Sequence, residues 1–162
     1  HINLISLKSI HSILLFLVAF VYAMSFSPTI DFTDPKDTRH DITLMLDGGK
    51  LCTSKQILAV HSPVFNAMFY GNFVEKDKNE VKLQDVCRED FHVALKTLHN
   101  PAYEIEEDMR LLDSLLVIAD RFDIKAIIDR VEERLINTKS FSAAQLILFV
   151  DQHDTFRFIK LH

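Results

Sequence analysis

DITLMLDGGKLCTSKQILAVHSPVFNAMF, residues 41–69, is the stretch on which the fold turns. Ile42, Leu44 and Leu46 alternate with Thr43 and Met45, the period of two that lays one face of a strand on a core. Asp47-Gly48-Gly49 supplies residues tolerant of a tight turn, and Leu51-Cys52-Thr53 returns, so the segment predicts a β-hairpin. Ser54 stands where the cap of a short helix over 55–60 is expected. Ser62 followed by Pro63 predicts a second helix: a serine hydroxyl accepts an orphan N–H, and proline is pre-set for the first helical position. On that helix Val64, Phe65, Met68 and Phe69 fall on one face, before Gly71-Asn72 ends it.

Working outward, residues 25–40 hold two prolines and several charges and read as an extended, mostly exposed lead-in. Downstream, a charged stretch over 75–80 leads to a short strand over 81–83. Asp85 is the expected cap of a helix over 87–99, with Phe91, Leu95 and Leu98 as its apolar stripe and Asn100-Pro101 as its stop. Helices follow over 108–122 and 124–137, turning a corner at Asp123, and Ser140 or Ser142 caps a last one over 143–152. A hairpin, two short helices, one strand and then helical pairs give the α+β class, a small sheet flanked by helical hairpins.

With 162 residues, 48% of them apolar, the chain can build one domain with a proper core but not two. The formal net charge of −5 offers no basic face for phosphates, so nothing points to nucleic acid as a partner. Cys52 and Cys87 belong to no CxxC pair, which leaves neither a disulfide framework nor a zinc site and reads as two free, buried thiols.

Residues 1–26 differ from the rest. Lys8, the apolar run from Ser12 to Phe26 and Ala23 after Val21-Tyr22 have the outline of a signal peptide or a thin membrane anchor. The alternative is an upstream fragment or a mis-assigned start, since the chain opens on His1 and its first Met is Met24. The first reading implies the secretory pathway and admits a membrane. The second fits the cysteine usage and the lack of an Asn-x-Ser/Thr acceptor, and implies a cytoplasmic or nuclear protein.

The stretch quoted above resembles the opening of a BTB/POZ domain: Asp41 before the strand, Gly48-Gly49, Ile57-Leu58-Ala59, then Ser62-x-x-Phe65. Val81, Leu83, Asp85, Phe91 and Leu95, and then LLDSLLVIADRFDIKAII with Ala119-Asp120 at its corner, continue the likeness across about residues 39–137. One departure is Ser54-Lys55, where the family usually has His-Lys. The resemblance divides the chain into an apolar leader over 1–26, a lead-in over 27–38, the BTB/POZ domain over 39–137 and a truncated helical extension over 138–162. It is closest to adaptors of cullin-type ubiquitin ligases whose substrate reader is a MATH domain, here absent.

That resemblance implies a protein-interaction module that pairs with itself, engages a cullin-3-type scaffold and carries an unknown substrate protein; its alternative is a BTB domain used for oligomerisation or scaffolding alone. By the same likeness Phe73-Val74-Glu75 is the cullin-docking triplet, Phe73 as anchor and Glu75 as rim charge, and Asp41 belongs to the dimer interface. The plainer readings are a Phe73 tucked under its own helix and an Asp41 that simply opens a strand.

No catalytic, cofactor or metal site is expected. His40, His61, His92, His99 and His153 form no ligand spacing and read as surface or half-buried polar groups. Ser62 lacks a Gly-x-Ser-x-Gly setting and reads as a cap. Asp31, Asp34, Asp37, Asp41 and Asp47 do not have calcium-loop spacing, and Gly48-Gly49 is not followed by Gly-Lys-Ser/Thr.

Overall fold

The computed structural model describes residues 30–71 and 78–153. From Phe32 onward these belong to one compact unit. The apolar leader, the Phe73-Val74-Glu75 triplet and residues 154–162 lie outside the described residues.

The hairpin forms as the alternation dictates. Strand β1 (Ile42–Asp47) pairs antiparallel with β2 (Gly49–Thr53), Leu44 opposite Leu51, and Ile42, Leu44 and Leu46 all turn inward. Gly48 and Gly49 take φ of 95° and 143°, a backbone that side-chain-bearing residues avoid. A Cβ on Gly49 would also stand 3.0 Å from Arg88 Cδ.

Strand β3 (Glu80–Cys87) then lies on the other side of β1, giving the order β2-β1-β3. It runs parallel to β1, with an irregularity between Met45 and Asp47. The long return that a parallel pair needs is made by β2 and two short helices, α1 (Lys55–His61) and α2 (Pro63–Tyr70). The strand is longer than the 81–83 expected from local sequence. Asp85 sits inside it at φ 55° and does not cap the next helix, α3 (Arg88–His99), whose first turn starts from Cys87 with no side-chain cap.

Helices α4 (Met109–Phe122), α5 (Lys125–Asn137) and α6 (Ala143–Gln152) complete the described chain. Asp108 caps α4 by accepting the Leu111 N–H at 2.9 Å. Asp123 ends it in the left-handed conformation, and the Ile124 N–H reaches back to the Ala119 carbonyl at 2.8 Å. Ser142, of the two candidates, caps α6, in a reciprocal box with Gln145.

The core lies where sheet and helices meet. Phe65 of α2 stacks on Phe122 at 4.7 Å and on Phe69 at 5.6 Å, with Phe91 of α3 edge-on to Phe65 and Phe122. Leu112, Leu115 and Ala119 of α4 and Ile127 and Val131 of α5 are fully or almost fully buried around this cluster. Asp90 is one of the few charged residues buried with it. Its carboxylate, almost wholly buried, accepts two hydrogens from Arg110 and one from Ser114 at 2.7 Å, which ties α3 to α4. Burial, the largest influence, pushes the Asp90 carboxyl up, but the Arg110 and Ser114 hydrogen bonds together outweigh it and hold it below the ordinary range.

Three further expectations are corrected. Ser54 makes no side-chain cap; Asp41 Oδ1 accepts the Lys55 N–H at 2.6 Å instead. Most of the lead-in is exposed, but Phe32 is 2% exposed and its carbonyl accepts the Cys52 N–H at 2.6 Å. Cys52 is buried as expected whereas Cys87 is exposed, because it closes a strand at the surface.

Candidate partner-binding surface

The α1–α2 pair is held to the core from one side only. Leu58, Phe65 and Phe69 point inward, and Ser62 locks the corner between the helices. The buried Ser62 hydroxyl accepts the Phe65 N–H at 3.0 Å and donates to the Phe122 carbonyl at the end of α4. The Ser-x-x-Phe spacing therefore has a physical reason: one residue caps α2, satisfies an orphan carbonyl of α4 and sets Phe65 against Phe122.

The opposite side of α2 faces solvent. Apolar Pro63, Val64, Ala67 and Tyr70 are exposed together with the polar Asn66, and Val60 at the end of α1 is 73% exposed. Val64 thus belongs to the outer face rather than the buried one, and Met68 is half-buried. An apolar outer face on a helix is the feature expected of a surface that meets another protein. Local periodicity marked the inner stripe of α2; on the outer one Asn66 is the one polar residue among apolar neighbours, so the contrast that would have told the faces apart is weak.

Asp41, expected at a dimer interface, is an exposed residue beside this pair whose carboxylate fixes the start of α1. Its backbone N–H also reaches the Thr53 carbonyl at 3.0 Å, so it locks the end of the hairpin to the helix that follows. Phe73, Val74 and Glu75 come next in sequence after α2 and its Gly71 cap, and lie outside the described residues.

Among the described residues no cluster of His, Cys, Asp or Glu is placed to hold a metal ion. His40, His61, His92, His99 and His153 are half-buried, as expected, and scattered over several elements. His153 contacts Asp113 at 2.8 Å, joining the end of α6 to α4. Burial, then the nearby charges of His40, His61 and Arg39, hold the His99 imidazole below the ordinary histidine range. Within the described residues no helix is long and apolar enough to cross a membrane.

A family model for the BTB/POZ domain matches residues 32–139, starting at the buried Phe32. The chain is similar to BTB and MATH domain-containing protein 38 of Caenorhabditis elegans, at 32% identity over 126 residues that make up 78% of this chain and 32% of that protein. It is also similar to protein 15 of the same name series and organism, at 32% identity over 122 residues, 75% of this chain and 44% of that one. The chain thus spans between a third and a half of the length of these relatives. The BTB domain of zebrafish PATZ1 superposes with a TM-score of 0.51 and 17% identity, over 64% of this chain and 82% of that one, which shows a shared fold. The family match and these relatives make the described domain a protein-interaction module, and the chain belongs to the BTB/POZ domain family.

Proposed function

We propose that the chain is a self-pairing adaptor that brings a client protein to a cullin-3-type ubiquitin ligase scaffold, in the cytoplasm or nucleus. One observation carries this reading: the apolar outer face of α2, formed by Pro63, Val64, Ala67 and Tyr70, leads in sequence straight into Phe73-Val74-Glu75. An apolar anchor beside a glutamate suits a partner pocket with a charged rim, the aromatic contributing most of the affinity and the carboxylate the register and on-rate. Asp41, exposed next to α1, is proposed as part of the self-pairing face; one carboxylate oxygen holds the Lys55 N–H while the group stays open to solvent. Residues 138–162 are proposed as the start of a helical extension, of which α6 is the first helix.

The test is a pull-down of the chain with a cullin-3-type amino-terminal domain. Capture by the parent and loss in the Phe73→Ala, Glu75→Ala double variant support the adaptor. Equal capture by both would show that the triplet does not dock. A self-associating chain that captures no cullin would leave oligomerisation alone as its task.

A further inference from the structure

The Phe32 ring is enclosed by imidazoles. His40 stacks on it at 6.1 Å and 17°, while His92 and His99 approach edge-on at 5.7 and 4.9 Å. His92 and His99 are seven residues apart on α3 and so share a face of it; His40 comes from the lead-in itself. The Phe32 carbonyl holds the Cys52 N–H on β2 at 2.6 Å. The Phe32 carbonyl thus fastens this segment to β2, and the Phe32 ring fastens it to α3.

His40 Nδ1 lies 3.1 Å from the Asp34 carbonyl, which can only accept, so Nδ1 carries the hydrogen. His40 Nε2 is buried and has no hydrogen-bond partner among the described residues, so a second N–H there would find no acceptor. His99 Nε2 meets the Thr53 hydroxyl at 3.3 Å. The other charged groups near the cluster are His61 and Arg39, which act on His99, and Arg39 is itself paired with Asp37 at 2.5 Å. Asp41 lines the same cavity as His40, and its Oδ1 is already committed to Lys55. A proton on half-buried His99 is opposed by burial and adds a positive charge near that of Arg39.

We propose that residues 32–40 form a proton-operated strap, in which charging His99, packed edge-on against Phe32 and bonded to Thr53, lifts Phe32 off α3 and frees the edge of β2 at Cys52. The sign follows from His99. Its folded value lies below the ordinary histidine value of 6.5, so the released state takes up protons first. The closed strap is fully favoured above about pH 6.5 and loses ground as pH falls below it. Opening uncovers a buried phenylalanine, the Cys52 N–H and a thiol that is 5% exposed when closed, which together make an acid-revealed site for an extended peptide segment adding to the sheet edge.

The experiment is amide hydrogen exchange by NMR on the full chain, comparing protection of the Cys52 N–H with that of the Leu112 N–H, which is bonded to Asp108 inside α4. Between about pH 7.5 and about pH 5.5, Cys52 protection relative to Leu112 is expected to fall, by up to about tenfold, the most that one imidazole can contribute at the lower value. Phe32→Ala should give low relative protection at both values, and His99→Gln should keep it high at the lower one. A Cys52-to-Leu112 ratio that does not change with pH in the parent chain overturns the proposal, whatever the variants do.

Discussion

Replacing Ser62 with Ala tests the link between the second helix and the rest of the core. The hydroxyl is fully buried, accepts the Phe65 N–H and donates to the Phe122 carbonyl. Losing an N-cap hydroxyl costs about 0.5–2 kcal/mol. Leaving a buried carbonyl without its donor adds about 1–3 kcal/mol. The two are not fully additive, because Phe65 and Phe122 relax together across their stacked rings. The expected loss is therefore about 2–4 kcal/mol, a large part of the roughly 5–15 kcal/mol that holds a domain of this size. Urea unfolding followed by circular dichroism reads it as a lower midpoint at an unchanged slope. Ser54→Ala is the control, since Ser54 occupies the equivalent position on α1 without a side-chain bond. A Ser62→Ala loss no greater than that of Ser54→Ala would refute the reasoning.

Other substitutions separate local from non-local roles. Asp41→Ala is expected to cost about 0.5–1.5 kcal/mol by freeing the Lys55 N–H, and Asp41→Asn, which keeps the oxygen, should restore most of it; urea midpoints decide. Arg110→Met should cost about 1.5–3 kcal/mol, since it strips a charged hydrogen bond from the buried Asp90. Because the folded Asp90 carboxyl lies below its ordinary value, that contribution is present above about pH 4 and fades as pH falls through the folded value, so parent and variant curves should converge in acid. Glu132, 8% exposed on α5, behaves in the opposite way: burial, then the charge of Asp129, raises its carboxyl, so it favours the fold at low pH and opposes it as pH rises. Glu132→Gln should then stabilise the chain at neutral pH by up to about 1 kcal/mol, with little gain near pH 4, as thermal melts at the two pH values would show.

Much of this fold was legible because its signals are local. The alternation of Ile42, Leu44 and Leu46 with two glycines at the turn leaves one hairpin register, and Ser62-Pro63 marks a helix start that needs no knowledge of the rest of the chain. What stayed hidden is what distant segments decide. Asp85 looks like a cap, but pairing with β1 draws the strand through it to Cys87 and leaves it at positive φ. Ser54 looks like a cap, but Asp41, fourteen residues away, takes the Lys55 N–H first. Phe32 sits in a lead-in without periodicity, and only α3, brought near by the fold, gives it walls. The exposed side of α2 was missed for a related reason, since Val64, Ala67 and Tyr70 outnumber the one polar Asn66 there and blur the signal of which face is inside.

Sedimentation equilibrium of the full chain is the most direct test of the central claim, that the apolar faces left outside the BTB core are covered by another protein chain. At micromolar concentrations and neutral pH the account predicts a mass twice the 18.7 kDa of one chain. A parent chain that stays at 18.7 kDa across the whole concentration range would contradict it.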